Sequence, residues 1–282
     1  MILRILSVCW ILSSQSISPL SLCFAEASPP VLPSRGICAH RGASATHPEN
    51  TIAALREAVR LGAHMVEFDL ALTKDLQIVL MHDPTVNRTT NGHGEVADLT
   101  LSELRTLDAG TWKSPHFQHE RIPTFKEALD VLPVNIWINV HLKGDAELAS
   151  KAAREIVEAS RLHQAVLACG AEGAASAREI DPNILICNMD RQLTNKQYVR
   201  ATIDQNAAFI QLLAIRPTEA GTIEQLKQHN IRINYCCTDD AKTLRKLFAE
   251  GLDFVLVDQL DAMLQEVEAL GIERQEPIYS GE

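Results

Sequence analysis

After its first 25 residues the chain has no apolar run approaching the roughly 20 residues that cross a bilayer, which excludes a helical membrane span from there onward. It has no low-complexity tract either, so no segment is set apart as disordered by composition. There is no excess of basic charge: the formal net charge is −10. Nucleic acid and anionic membrane surfaces reward clustered Lys and Arg, so neither is expected as the main partner, and any chemistry on phosphate must use a local site. A Cys-x-x-Cys pair is also missing. Beyond residue 25 stand Cys38, Cys169, Cys187, Cys236 and Cys237, an odd set with no spacing that pairs them, and buried free thiols are the expectation.

The first 25 residues have a character of their own. Arg4 is their sole charge, the run Ile5 to Leu12 is apolar, and Pro19 precedes Leu22-Cys23-Phe24-Ala25. This layout reads as a secretory signal peptide cleaved after Ala25, giving a secreted or periplasmic mature chain with no transmembrane segment. An amino-terminal helix of the fold is the alternative, opposed by Pro29, Pro30 and Pro33, and lipid attachment at Cys23 is another, opposed by the bulk of Leu22. Residues 26–35 form a linker on this scheme.

The 282 residues, 46% hydrophobic and 22% charged, suit one ordinary globular domain. From Gly36 short apolar runs alternate with helical patterns, as repeated βα units require. Eight strands are expected at Gly36–Ala39, Met65–Leu70, Ile136–Val140, Ala165–Ala168, Ile184–Cys187, Phe209–Leu213, Ile231–Tyr235 and Phe254–Val257. Between them lie amphipathic patterns such as Thr51–Leu61, Thr124–Leu132, Ala146–Ser160, Thr218–His229 and Asp240–Glu250. The count predicts a (β/α)8 TIM barrel over 36–270 with a tail at 271–282. A barrel of this size needs no disulfide.

One run breaks the rhythm. Gln77–His82 follows the second strand too closely for a parallel crossover and must fold back as a hairpin about Lys74–Asp75, returning His82 toward Asp69 and Glu67. Residues 84–121, with Asn91-Gly92-His93-Gly94 and a helical pattern at Leu101–Leu107, are expected as a small insertion over the barrel mouth.

The carboxyl-terminal ends of the strands carry the candidate site. His40 and Arg41 close the first strand, with Gly42 permitting a tight exit. Glu49 can hold Arg41 in a bidentate pair, while Asn50 either caps the next helix, as Thr51 also can, or orders the site. Glu67 and Asp69 share one face of a strand otherwise apolar on both sides, and two buried carboxylates call for a cation, naturally a divalent metal. His40 and His82 are candidates for general base and general acid. Asn139, His141 and Lys143 form another period-2 set, with Lys143 facing a phosphate and the other two the metal region. The remaining histidines, His47, His64, His93, His116, His119, His163 and His229, are expected as surface groups.

Taken in order, His40-Arg41-Gly42, Pro48-Glu49-Asn50-Thr51, Glu67-x-Asp69, Thr73-Lys74-Asp75, His82-Asp83, Asn87-Arg88-Thr89-Thr90, Gly92-x-Gly94 and Ile122-Pro123-Thr124 resemble the glycerophosphodiester phosphodiesterase family. The similarity spans nearly all of Ile37–Asp130 and is weak after Ser150. It implies a TIM barrel that hydrolyses glycerophosphodiesters to glycerol 3-phosphate and an alcohol, with a glycerol hydroxyl attacking phosphorus before water completes the cycle. It further implies His40 and His82 as the acid/base pair, Glu67 and Asp69 as ligands of Mg or Ca, and Arg41 and Lys143 as phosphate holders. Two departures stand out. His141-Leu142-Lys143 replaces the family's Glu-x-Lys, and two carboxylates plus an imidazole favour Zn or Mn. Tyr235-Cys236-Cys237-Thr238-Asp239 replaces a Trp before Thr-Val-Asn-Asp, which alters the pocket wall. Two alternatives remain at this level: a sphingomyelinase D-like enzyme acting on lipid headgroups, and a catalytically silent barrel that binds phosphate esters.

Overall fold

A computed structural model describes residues 30–213, 219 and 221–280. The expected signal peptide and the first four residues of the expected linker lie outside them, as does the start of the helix expected from Thr218. Among the described residues no helix is long and apolar enough to cross a membrane.

The strands are β1 (Gly36–Ala39), β2 (Met65–Leu72), β3 (Ile78–Leu80), β4 (Trp137–Leu142), β5 (Ala165–Cys169), β6 (Leu185–Asn188), β7 (Phe209–Leu213), β8 (Arg232–Cys236) and β9 (Phe254–Val257). The α-helices are α1 (Ile52–Arg60), α2 (Leu101–Leu104), α3 (Phe125–Val131), α4 (Ala146–Glu158), α5 (Ala171–Ile180), α6 (Asn195–Asp204), α7 (Thr222–Gln228), α8 (Ala241–Ala249) and α9 (Leu260–Glu268). The sheet runs β1-β9-β8-β7-β6-β5-β4-β2 with every pairing parallel, and β1 also pairs with β2. That last pairing closes the expected eight-stranded TIM barrel.

The hairpin forms for a simple reason of edge occupancy. β1 is short and pairs with β2 only through Cys38–Met65 and Ala39–Val66, whereas β2 continues to Leu72. The edge left open beyond the barrel rim is taken by β3, antiparallel, with Leu70 opposite Leu80 and Leu72 opposite Ile78. An unpaired buried edge would strand backbone donors, and here Met81 N also donates to Asp69 O at 3.0 Å.

Strand alternation divides the core in two. Val66, Phe68, Leu70, Ile138, Val140, Val255 and Val257 face outward and join the helices in one cluster. Met65, Cys38, Trp137, Val166, Phe209, Phe254 and Leu256 face inward and fill the lower barrel. The same parity carries Glu67, Asp69, Asn139, His141, His40 and Asp258 inward at or near the upper end.

The insertion packs on the hairpin through its own cluster of Val79, Met81, Val86, Val96, Leu104 and Ile122. Its helix is shorter than expected, Leu101–Leu104, and is started by a capping box between Thr100 and Glu103. Lys113 reaches the mouth, donating to Ser44 O at 2.6 Å.

Two expectations are corrected. Cys236 and Cys237 form a disulfide between chain neighbours, while Cys38, Cys169 and Cys187 are buried free thiols as expected. Cys236 and Cys237 are adjacent, so no loop between them marks them as partners in the sequence. His64 is no surface group: it is buried, its Nδ1 accepts from Ile37 N at 3.1 Å and its Nε2 lies 2.8 Å from Glu273 O.

Candidate active site

The site begins with the exit of β1. Gly42 at φ +78 brings the backbone against Ala54 so closely that an added Cβ would lie 2.7 Å from its carbonyl carbon. Arg41 itself adopts φ 57, a left-handed conformation that costs a non-glycine residue energy. That conformation lets its N–H donate to Glu67 Oε2 at 2.9 Å. Its guanidinium meets Glu49 Oε1 at 2.8 Å and lies 3.5 Å from Asp69 Oδ2. Glu49 and Arg41 are thus paired, through one hydrogen bond rather than the bidentate contact expected, because Arg88 takes both Glu49 oxygens.

Asn50 and Thr51 divide the roles that the sequence left open. Thr51 caps α1, its Oγ1 accepting from Ala54 N. Asn50, at φ 58, grips Asp69 twice: its Nδ2 donates to Oδ2 at 3.0 Å and its Oδ1 accepts from Asp69 N at 3.1 Å.

Parallel pairing of β2 with β4 sets Glu67 opposite Asn139 and Asp69 opposite His141. Both carboxylates are almost fully buried. His141 Nδ1 lies 3.1 Å from Asp69 Oδ1 and 3.8 Å from Glu67 Oε1, and Lys143 Nζ lies 3.1 Å from Asp69 Oδ1 and from His141 Nδ1. Burial, and then the charge of Asp69, pushes Glu67 above the usual carboxylate range. Burial also works against ionised Asp69, but His141, Lys143 and Asn50 more than reverse it and hold that carboxyl below its usual value. Burial pulls His141 down, helped by Lys143 and Arg191 against the contrary effect of Asp69, so the imidazole is biased toward its neutral, ligand-competent form.

Donor atoms of Glu67, Asp69 and His141 lie within 4.8 Å of one another. Asp69 Oδ1 is buried and faces His141 Nδ1 and Lys143 Nζ without a well-directed hydrogen bond, and both side-chain polar atoms of Asn139, just below, are buried without a hydrogen-bond partner. Two buried carboxylates beside an imidazole, over a buried amide with no partner, are a donor set suited to a cation. The residues fit a divalent metal.

The histidines are each held by a carboxylate. His40 Nδ1 lies 2.8 Å from Asp258 Oδ1. Burial lowers its pKa, but the Asp258 hydrogen bond and the nearby charges of Glu67 and Asp258 prevail over burial and Arg41, and the net displacement is upward. His82 Nδ1 lies 2.7 Å from Asp83 Oδ1. The hairpin returns its backbone beside Asp69 as expected, whereas its imidazole is engaged by Asp83 rather than by Glu67 or Asp69.

Three residues extend the set foreseen from sequence. Asp258 is signalled by its place at the carboxyl-terminal end of a barrel strand, beside β1. Arg88 donates to both Glu49 oxygens at 2.8 Å and to Asp83 at 2.7 and 2.9 Å. A continuous chain of ion pairs, Asp69–Arg41–Glu49–Arg88–Asp83–His82, thus ties the carboxylate pair to the second histidine. The Asn87-Arg88-Thr89-Thr90 run was a visible signal, but its partners lie far along the chain. Arg191, whose charge acts on His141, follows β6 in a segment with no sequence motif.

Fold and mouth together define a TIM barrel of enzymatic type, with a buried Glu/Asp/His cluster, a lysine and two carboxylate-anchored histidines at its carboxyl-terminal end. Residues 40–262 match the glycerophosphoryl diester phosphodiesterase family, and the chain belongs to that family. YhdW of Bacillus subtilis, a candidate glycerophosphodiester phosphodiesterase by name, is 34% identical over 239 residues, covering 82% of this chain and 97% of that one. The glycerophosphodiester phosphodiesterase of Caldanaerobacter subterraneus is 43% identical over 124 residues, 44% of this chain and 51% of its own. Among solved structures, a glycerophosphodiester phosphodiesterase from Agrobacterium tumefaciens superposes with a TM-score of 0.72 at 25% identity, covering 81% of this chain and 98% of its own. An Oleispira antarctica phosphodiesterase in complex with the product sn-glycerol-3-phosphate superposes at 0.74 with 26% identity, covering 83% and 96%.

Proposed function

We propose that the protein is a metal-dependent phosphodiesterase that cleaves glycerophosphodiesters to glycerol 3-phosphate and an alcohol by proton transfer between His40 and His82. The observation that carries this reading is the pairing of each imidazole with its own carboxylate, His40 with Asp258 after β1 and His82 with Asp83 after β3, the two strands that pair with β2 and its buried carboxylates. A carboxylate on Nδ1 fixes the tautomer and leaves Nε2 to exchange a proton with substrate. Family membership and the likeness to a phosphodiesterase holding sn-glycerol-3-phosphate support the same products.

One imidazole accepts the proton of the attacking glycerol hydroxyl while the other protonates the departing alcohol oxygen. When water then opens the cyclic ester, the two exchange roles. Lys143 and Arg41 offer positive charge to the phosphoryl oxygens, and Asn50 and Glu49 keep Asp69 and Arg41 in place. Glu67, Asp69 and His141 would hold the metal, which when bound supplies electrostatic stabilisation of the phosphoryl oxygens. An imidazole in that set favours Zn or Mn over Ca or Mg.

The test is a panel of glycerophosphodiesters assayed with Mg, Ca, Mn and Zn, alongside metal analysis of the purified protein. Wild-type turnover should depend on a divalent metal, and His40→Ala and His82→Ala should each lower kcat about a hundredfold or more. Undiminished turnover in either variant would remove that histidine from proton transfer.

A further inference from the structure

The mouth holds a second group of ligand-type side chains on the side away from His141. Parity along β8 turns Arg232, Asn234 and Cys236 inward, and β9 separates β8 from β1. Both neighbouring strands end on β9: Thr238 N donates to Leu256 O and His40 N to Val257 O. Cys236, Cys237 and His40 are therefore gathered about one strand end, with their sulfur and imidazole atoms within 4.8 Å of one another. All three are half-buried and can be reached from the mouth. Cys38, Cys169 and Cys187, in contrast, are buried, and burial pushes those thiols up, so they are poor sources of thiolate.

We propose that Cys236, Cys237 and His40 form a site for a soft, thiophilic divalent cation such as Cd or Zn, open only after the Cys236–Cys237 disulfide has been reduced. While bonded to each other the sulfurs are weak neutral donors. Reduction by an external dithiol transfers two electrons and two protons, yielding two thiols here and a disulfide on the reductant. Binding of the cation by both sulfurs then releases two protons, and thiolate with imidazole is the donor set that zinc-like cations select. Asp258 holds His40 Nδ1, which leaves Nε2 as the ring donor. A cation there withdraws His40 from proton transfer, a consequence that rests on the function proposed above. The disulfide thus shields the enzyme from thiophilic metals, and reduction exposes it. The site is distinct from Glu67, Asp69 and His141, whose oxygens and imidazole suit a harder cation.

The experiment uses the full chain, either untreated or reduced with dithiothreitol that is then removed, titrated with Cd. Near-ultraviolet thiolate-to-Cd absorption and turnover are read together. Reduced wild type should gain the absorption band in step with a turnover loss of about tenfold or more, and untreated protein should show neither. The Cys236→Ser/Cys237→Ser double variant should lose the band while retaining the three buried thiols as an internal control. His40→Ala, which keeps both sulfurs, should weaken Cd binding by about tenfold or more. A missing band in reduced wild type, or an undiminished band in the double variant, overturns the site. Turnover loss without the band also overturns it, because Cd would then be acting at the carboxylates. A band with unaltered turnover removes His40 from the ligand set. Failure of the His40 proton-transfer role is read separately, from His40→Ala turnover with no Cd added.

Discussion

Position 141 concentrates what is particular to this protein. Its imidazole stands beside Asp69 and Glu67 at the place where, by resemblance, relatives carry a carboxylate. Calcium and magnesium prefer oxygen donors, whereas an imidazole suits Zn and Mn. His141→Glu should therefore raise turnover with Ca or Mg relative to Mn or Zn, by about tenfold. Because Glu67 and Asp69 are already buried together, a third carboxylate should also lower the melting temperature of the chelated variant, and Ca should recover it. If the metal preference and the Ca-dependent melting shift are both unchanged, residue 141 does not touch the ion. The chemistry-bearing residues were largely legible because strand parity is strict: Glu67, Asp69, Asn139 and His141 had to share a face. Their orienting partners were less so. Asp258 and His40 are 218 residues apart, and only the closure of β1 on β9 joins them.

Elements follow the same division between local and distant causes. The hairpin was legible because four residues between apolar runs exclude a crossover, and the helix after Ile122-Pro123 because its apolar residues recur at helical spacing; the capping box of Thr124 and Glu127 that starts it is seen in the structure. His64 was not, since what buries it is the far end of the chain meeting the turn before β2. Nor was the Cys236–Cys237 bond, which spacing rules do not contemplate. On α4 a further consequence is tied to pH. Glu155 Oε2 is buried there without a hydrogen-bond partner, and burial, followed by the charge of Glu158, pushes the carboxyl up to about 7. A carboxyl raised above its unfolded value destabilises the fold progressively as pH climbs from the unfolded value of 4.5 through about 7, and not below that range. Glu155→Gln removes the titration. The variant should melt higher than wild type at pH 8, with a smaller advantage at pH 5. An advantage independent of pH would mean that Glu155 does not titrate in this window.

For the molecule as a whole, the two ends of the barrel serve different ends of the chain. The carboxyl-terminal mouth carries the polar site, while the opposite end is crossed by the final residues. Gln275 N donates to Gly62 O, Asn135 Nδ2 to Glu276 O and Ile278 N to Asn135 Oδ1, and Val134 N donates to Ile278 O. Arg274 reaches Leu61 O and Asp261. The sequence reads 271–282 as a tail outside the barrel, yet its described part acts as a strap over the turn before β2 and the approach to β4. Deleting everything after Gly271 leaves His64 Nε2 and both amide atoms of Asn135 without those partners. A buried polar group deprived of its partner costs about 1–3 kcal/mol, so the deletion should lower unfolding free energy by about 2 kcal/mol or more. Among the described residues these hydrogen bonds of the strap go to Leu61, Gly62, His64, Val134, Asn135 and Asp261, none of which is a residue of the site. Turnover per folded molecule should therefore change less than about twofold at temperatures well below the melting transition, where the local loss does not propagate. Denaturant midpoints and kcat measured on the same preparations test this directly. An unchanged midpoint would show that the strap contributes nothing, and a large kcat loss in fully folded protein would show that the two ends of the barrel are coupled.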